Sequence, residues 1–498
     1  MKHLRWYDHL SINLFWLGLN IRNQAVGALF LPFLVDLFVL AAVKNTALGG
    51  LRTAGLVVAM LVQPAVGLLS DRSSSRFGRR RPFIFVGVLL DLIFLAAIYY
   101  SWDYLSLVIA LLLFQVSANI SHGALQGLIP DLVPETQRGV SAGLKAIFEL
   151  LPLVLVGLAI AGLVGQGHLD WAVMVTAFLL LVIMLLTMVL VKEEPLREKV
   201  TEPFWPPMMR VFGMLAAIGI GALAGLTGGG LVGIAAGLLA WLLAGEQAAR
   251  IIGISLGGFA AMVVAVVVGV RAGVRITLGR EEKPVKRAAQ SSFSWWVTNR
   301  LFFLAAVTSI QGFAPYFLMY AFNMPREPAV SATGQLMSVV GLFTLVTALP
   351  GGWLSDRFGH KRMIGLSGVA AALGSFLLLG AIWAPDLALI YTAGAIVGLG
   401  TGLFMTANWA LGTELVPGDK AGRYLGVSNL AGAGAGIIGS GIGGPVADNL
   451  NAILPGLGYF IIFACYGLLF VLSVVSLRGI RSFFPPVENG VIVPVSAE

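Results

Sequence analysis

The chain alternates apolar runs of membrane length with short charged stretches. Runs close to the ~20 residues that a helix needs to cross the hydrocarbon core fall at about 11–38, 47–69, 82–101, 105–129, 140–165 and 169–191. Two runs rich in Gly and Ala follow at about 211–243 and 250–272. Six more lie at about 295–322, 334–354, 362–384, 386–412, 425–447 and 455–477. The stretches K-E-E-P-L-R-E-K-V-T-E-P-F-W-P-P and R-A-G-V-R-I-T-L-G-R-E-E-K-P-V-K-R flank the central pair, and their prolines and charges suit linkers. This predicts a six-helix bundle over 1–191, linkers with two extra spans over 192–292, a second six-helix bundle over 293–481 and a tail over 482–498. The run 211–243 is long enough to break at the L-T-G-G-G of 226–230. A third central crossing would put Arg357, Lys361 and Arg362 outside, so two central spans and fourteen in all are expected.

A chain of 498 residues that is 58% hydrophobic and 11% charged has too little polar surface to cover a soluble globule. The class is an all-α polytopic membrane protein. Its net charge of +8 does not point to nucleic acid, because the basic residues sit in loops between apolar runs. With both termini cytoplasmic, 25 of the 32 Lys and Arg lie inside and Arg22, Lys145 and Arg300 fall within helices. Only Lys44, Arg52, Arg250 and Arg326 remain outside. That asymmetry predicts a multi-pass protein of the plasma or inner membrane, its basic loops against anionic lipid. Cys465 is the single cysteine, which excludes an intrachain disulfide or a thiolate metal cluster. The N-terminal M-K-H-L-R-W-Y-D-H leads into a run too long, and too polar in its middle, for a cleaved signal peptide, and is read as the start of helix one.

Two places repeat. Q-P-A-V-G-L-L-S-D-R-S-S-S-R-F-G-R-R-R-P at 63–82 is echoed by P-G-G-W-L-S-D-R-F-G-H-K-R at 350–362, with Asp71 and Asp356 separated by 285 positions (356 − 71). P-D-L-V-P-E-T-Q-R-G-V-S at 130–141 is echoed by T-E-L-V-P-G-D-K-A-G-R-Y at 413–424, with Asp131 and Glu414 separated by 283 (414 − 131). Concordant offsets indicate a duplicated six-helix unit, the internal repeat on which alternating-access transporters are built.

These residues resemble the signature loop of the major facilitator superfamily, G-x-x-x-D-R-x-G-R-R/K. Gly67, Asp71, Arg72, Gly78, Arg79 and Arg80 match it with additional residues before Gly78, and Gly352, Asp356, Arg357, Gly359 and Lys361 match it again. The fuller first string is similar to the sucrose transporters of plants and their animal relatives, within the glycoside-pentoside-hexuronide group. The resemblance implies a cytoplasmic gate in which Asp71 and Arg138, and in the second half Asp356 and Arg423, brace the two halves while that side is closed. Arg72, Arg79 and Arg357 would belong to the same gate, which biases outward-facing against inward-facing states. The chain departs from the sucrose transporters by carrying Gln115 where they have a coupling aspartate and Gln126 where they have an arginine. It also lacks the E-x-x-E-R-F-x-Y-Y string of the fourteen-span peptide symporters. The antiporter string G-x-x-x-G-P-x-x-G-G is missing from the fifth run, with a partial echo at 439–445 that suits close helix packing.

Polar groups in mid-membrane are expensive and therefore candidates for the transport site. Gln115, Asn119, His122 and Gln126 recur at helical spacing, so they either look into a shared cavity or bond the fourth helix to its neighbours. Asn20, Arg22, Asn23 and Gln24 cluster on the first helix, and Gln311, Tyr316 and Tyr320 on its counterpart in the second half. Asn408, Trp409 and Asn429 complete the set; amides with one indole suit sugar hydroxyls and the apolar face of a sugar ring. For proton coupling the candidates are Glu149 with Lys145, four residues apart, and then Asp91, with Arg22 as a counter-charge. The central pair carries no ionisable residue between Val211 and Gly245 and reads as a peripheral, lipid-facing addition. No nucleophile-base set, metal-ligand cluster or phosphate-binding loop is visible, so neither an enzyme nor a cofactor is expected. The reading is a transporter of a small solute, a sugar or glycoside with proton symport. Export or exchange of an amphipathic or anionic solute, and a non-transporting receptor or scaffold, stand as alternatives.

Overall fold

The structure is a computed structural model that describes residues 4–193, 204–280, 284–416 and 421–481, with the pairs 487–488 and 491–492 beyond. The first linker at 194–203 and most of the expected tail lie outside the described residues. In the first half the helices are α1 (Trp6–Phe38), α2 (Lys44–Asp71), α3 (Arg81–Tyr99), α4 (Tyr104–Leu132), α5 (Glu135–Gly165) and α6 (Leu169–Leu190). A 74-residue helix, α7 (Trp205–Leu278), follows. The second half comprises α8 (Lys286–Ala321), α9 (Arg326–Phe358), α10 (His360–Trp383), α11 (Leu387–Leu415) and α13 (Leu457–Gly479), with α12 (Ala421–Ile453) before the last of these. Among the described residues, twelve of these helices are long and apolar enough to cross a membrane.

Local chemistry sets the boundaries. Asp103 caps α4 by accepting the backbone N–H of Ser106 at 2.8 Å. The repeated glycine of the two loop motifs has a conformational cause: Gly78 and Gly359 sit at φ of +99° and +91°, where a side chain would be strained. Six-residue and five-residue π-helical stretches interrupt α1 at Ala25–Phe30 and α5 at Val156–Ile160. Such stretches leave carbonyls free for partners outside the helix.

The two halves meet along two seams related by the repeat. In one, α2 lies against α12 so closely that Gly49 faces the Ser440 carbonyl; in the other, α5 lies against α9 with Gly157 over the Gly334 carbonyl. Small residues there let backbones approach. Below, the face carrying Leu4 and Arg481 is called the terminal face and the opposite one the distal face.

A straight 74-residue helix would be about 110 Å long, far more than a bilayer. The break comes at Gly245, with φ +85° and ψ −174°, which folds α7 into a hairpin. The L-T-G-G-G of 226–230 stays helical. Glycines at every fourth position of the first arm face the returning arm, pairing Gly225 with Ala261, Gly229 with Gly257 and Gly233 with Gly253. Each pair sums to 486, the register of an antiparallel hairpin. The second arm packs on α12, with Gly258 against Val446, while Leu223, Leu231 and Leu242 on the first arm are exposed. The hairpin is thus lipid-facing on one side only, because its other side covers the seam between α2 and α12.

A side chain at Gly257 would meet the Gly229 carbonyl at 2.9 Å, whereas one at Gly230 meets nothing. We predict that Gly257→Leu lowers the unfolding temperature in detergent, by an overpacking penalty of about 1–3 kcal/mol, while Gly230→Leu leaves it unchanged. Equal melting of the two variants would refute the hairpin register.

Candidate functional site

A cavity of about 570 Å³ opens between α1, α2, α4, α12 and the first arm of α7. Its polar lining is Arg22, Asn23, Gln63, Gln115, Asn119, His122 and Gln126; Leu56, Met60, Val211 and Met214 supply apolar wall. The whole α4 stripe read from the sequence therefore faces one space. Gln63 is an addition: it opens the loop motif in sequence, but the helix continues through Pro64 to Asp71, and its amide lines the cavity. Val211 and Met214 bring the inserted hairpin into the cavity wall.

Beside this cavity Arg22 donates to Asp91 at 2.7 Å, each side chain about 1% exposed. Ser117 donates to the other Asp91 oxygen at 2.5 Å, and Phe114 lies under the guanidinium. One carboxylate thus joins α1, α3 and α4. The second acid behaves differently. Glu149 meets Lys145 at 3.4 Å along one helix, both about one-third exposed, and Lys145 rests 4.2 Å above the Trp16 ring. Trp16 in turn stands edge-on to His122, 5.4 Å between ring centres.

Arg52, counted on the outer side in the charge asymmetry, lies two turns into α2. It donates to the Gly27 carbonyl at 2.6 Å, in the π-helical stretch of α1, and wedges against Gly312 of the second half. A membrane-embedded arginine was the signal, masked by its closeness to the start of the apolar run.

The other predicted residues separate. Asn20 bonds the Trp16 carbonyl of its own helix, and Gln24 does not line the main cavity. Gln311 lines a separate small cavity of about 30 Å³ with Thr333 and aliphatic neighbours. Tyr316 is fully buried and donates to the Pro32 carbonyl across the halves, and Tyr320 lies at the distal face beside Tyr459 and Gly456. Asn408 is fully buried and donates to Asn299 at 2.9 Å. Trp409 is half exposed beneath Arg300. The side chains of Asn429 and Arg423 lie outside the described residues.

The distal face is held shut by two carboxylates. Asp36 accepts from Lys44 at 2.8 Å and from Arg326 of the second half at 2.7 Å. Asp448 of α12 accepts the backbone N–H of Thr46 at 2.7 Å and the Asn45 amide at 2.7 Å, so the second half caps the N-terminus of α2. At the terminal face the motif charges pair within their own half. Asp71 binds Arg80, Asp131 binds Arg79 and Arg80, and Arg138 reaches Glu135 at 3.4 Å. Arg72 lies over Phe204, Arg357 over Trp353, and Asp356 is exposed. Glu193 accepts the Arg80 and Arg81 backbone N–H groups at 3.0 Å; burial pushes its carboxyl above the usual range against those bonds.

Two six-helix halves around a polar mid-membrane cavity define a membrane transporter. The sequence profile of the Major Facilitator Superfamily matches residues 23–216, 214–440 and 298–490, and the chain belongs to that family. It is 29% identical over 186 residues to Multidrug resistance protein MdtG of Proteus mirabilis (strain HI4320), covering 37% of this chain and 44% of that protein. It is 29% identical over 136 residues to the minor myo-inositol transporter IolF of Bacillus subtilis (strain 168), covering 27% and 30%. Over 49 residues it is 47% identical to the sucrose transport protein SUT1 of Oryza sativa subsp. japonica, covering 10% and 9%. The matches span less than half the length of each of these relatives. In fold it is similar to the nucleoside transporter NupG (TM-score 0.63, 13% identity, 95% of this chain and 100% of that one). The POT family transporter PepTSo is similar too (TM-score 0.65, 12% identity, 96% and 99%).

Removing a helix cap costs about 1 kcal/mol, a factor of roughly five in a two-state population. We predict that Asp448→Ala opens the distal face by about that factor. Thiol labelling of a cysteine at Thr53, in a Cys465→Ala background, should rise accordingly; unchanged labelling would show that Asp448 does not hold the seam.

Proposed function

We propose that the chain carries a sugar or glycoside across the membrane by alternating access, with a proton as the coupled ion. The observation that carries this reading is the lining of the cavity: five amides, at Asn23, Gln63, Gln115, Asn119 and Gln126, surround one space. Each amide both donates and accepts, which matches vicinal hydroxyls better than it matches an apolar drug. The likeness to an inositol transporter and, locally, to a sucrose transporter supports a polyhydroxylated solute. With the termini cytoplasmic, as the charge distribution favours, the closed distal face is extracellular and the structure faces inward.

For coupling we favour Asp91 over Glu149. Asp91 is buried and joins three helices through Arg22 and Ser117, so its protonation would free a guanidinium on the cavity wall and loosen the bundle together. The Lys145–Glu149 pair neutralises itself within one helix. Removing one partner of a buried pair costs about 3–5 kcal/mol, so the test uses the double variant Arg22→Gln/Asp91→Asn, which leaves no orphaned charge.

The experiment is uptake into proteoliposomes of sucrose, myo-inositol and an amphipathic cation, with and without an imposed inward proton gradient. Gradient-stimulated uptake of a neutral polyol is expected, and transport of the cation alone would overturn the sugar assignment. In the double variant stimulation should disappear while Glu149→Gln retains it. The reverse pattern would return the coupling role to Glu149.

A further inference from the structure

Four cationic side chains beside the mid-membrane region need an answer for their charge. Arg22 has Asp91 and Lys145 has Glu149. Arg52 is spent on the Gly27 carbonyl, at the contact between halves. Arg300 of α8 is left: among the described residues no carboxylate lies within 4 Å of its guanidinium, and its buried Nε has no hydrogen-bond partner. A guanidinium held in this way is expensive in a membrane interior, which marks it for a ligand.

The surroundings of Arg300 are rigid. Its Nη1 donates to the Asn408 side-chain oxygen at 3.0 Å. Asn408 cannot swing, because its amide nitrogen donates to Asn299 at 2.9 Å and Asn299 donates to the Ser473 carbonyl at 2.8 Å. Trp296 fixes the backbone of the same residue, its indole donating to the Asn408 carbonyl at 2.9 Å. The guanidinium lies over the Trp409 ring, 5.5 Å to the centre. Asn408, a candidate for touching solute, is fully buried and bonded to Arg300 and Asn299. Trp409 is 49% exposed and is separated from Gln126 by 283 positions (409 − 126), the offset that relates Asp131 to Glu414. Gln126 lines the cavity in the first half, and by that offset Trp409 is its counterpart in the second half.

We infer that Arg300, on its Trp409 platform, docks an anionic group of the transported solute, a carboxylate or a phosphoryl group. The first half then supplies amides for hydroxyls and the second a fixed fork for the anion, a bidentate geometry that guanidinium offers and ammonium does not. The inference rests on the sugar reading above and narrows it to a sugar bearing a negative charge.

The test is ligand-induced thermal stabilisation of the full chain in nanodiscs, with methyl glucoside, glucuronate and glucose 6-phosphate as probes. One charged probe should stabilise the protein at a concentration at least about tenfold below methyl glucoside; which one does so identifies the anion. Arg300→Gln should remove that advantage and Arg300→Lys keep part of it. Because Arg300→Gln can also perturb folding, Trp409→Leu provides a second variant, expected to weaken the charged probe more than the neutral one. Equal stabilisation by neutral and charged probes, or a preference that survives Arg300→Gln, would overturn the anion site and leave the sugar reading standing. Absence of stabilisation by all three would reject both.

Discussion

A charge carried into the bilayer must be answered there, and the fold is arranged around that requirement. Arg22 is answered by Asp91, which in turn accepts from Ser117, so α1, α3 and α4 are held in one register by one carboxylate. Desolvation alone would make such a pair a poor source of stability compared with apolar packing. Its value lies in specificity: the arginine cannot be buried anywhere else in the first half without losing its partner. The same requirement acts at Arg52, where a π-helical stretch in α1 offers a carbonyl in place of an acid.

Closeness of helices is the second requirement, and it concentrates where motion must occur. The seams between α2 and α12 and between α5 and α9 bring backbone against backbone at Gly49 and Gly157, with few long side chains to interlock. Such surfaces can slide or part without repacking a jigsaw of aliphatic rotamers. Aromatic packing is instead kept inside a half, as where Phe303 stacks on Phe404 at 3.6 Å between ring centres. Rigid halves and smooth seams are what rocking about a fixed cavity needs. The hairpin of α7 follows this logic in its own contacts, glycine on glycine, yet presses on α12 from outside and lends Val211 and Met214 to the cavity wall.

The duplicated unit was legible because both loop motifs require particular chemistry, a glycine at positive φ and an acid for the motif bases. The α4 stripe was legible because a polar face at helical spacing has nowhere to go in lipid except inward. Partners across helices were harder to read. Spacing along one helix reveals Lys145 with Glu149, but only tertiary packing reveals that Arg22 chooses Asp91, sixty-nine positions away. Gln63 was hidden by reading its neighbours as a loop. Tyr316, Tyr320 and Gln311 share one helix in sequence, yet Gln311 and Tyr320 fall on opposite faces of it, and the long α8 runs from cavity depth to the distal surface and disperses them. The four-residue spacing of Gly221, Gly225, Gly229, Gly233 and Gly237 was present in the sequence, and it signals a packing stripe where a run of glycines alone suggests a break.

The two halves are copies that have diverged at one informative point. Asp131 of the first half is held by the guanidinium groups of Arg79 and Arg80. In the second half Glu414 stands at the matching place, and its partner is His360 at 2.8 Å, with the other ring nitrogen 2.6 Å from the Ser355 hydroxyl. One imidazole thus holds an acid on one nitrogen and a hydroxyl on the other. Lys361 beside it is engaged with the Ile480 carbonyl and does not substitute. The terminal end of the second half is therefore bonded through one imidazole where the first half uses two guanidinium groups. A rocking cycle built on two formally equivalent halves thus has ends of unequal cohesion, set by one residue in the motif loop.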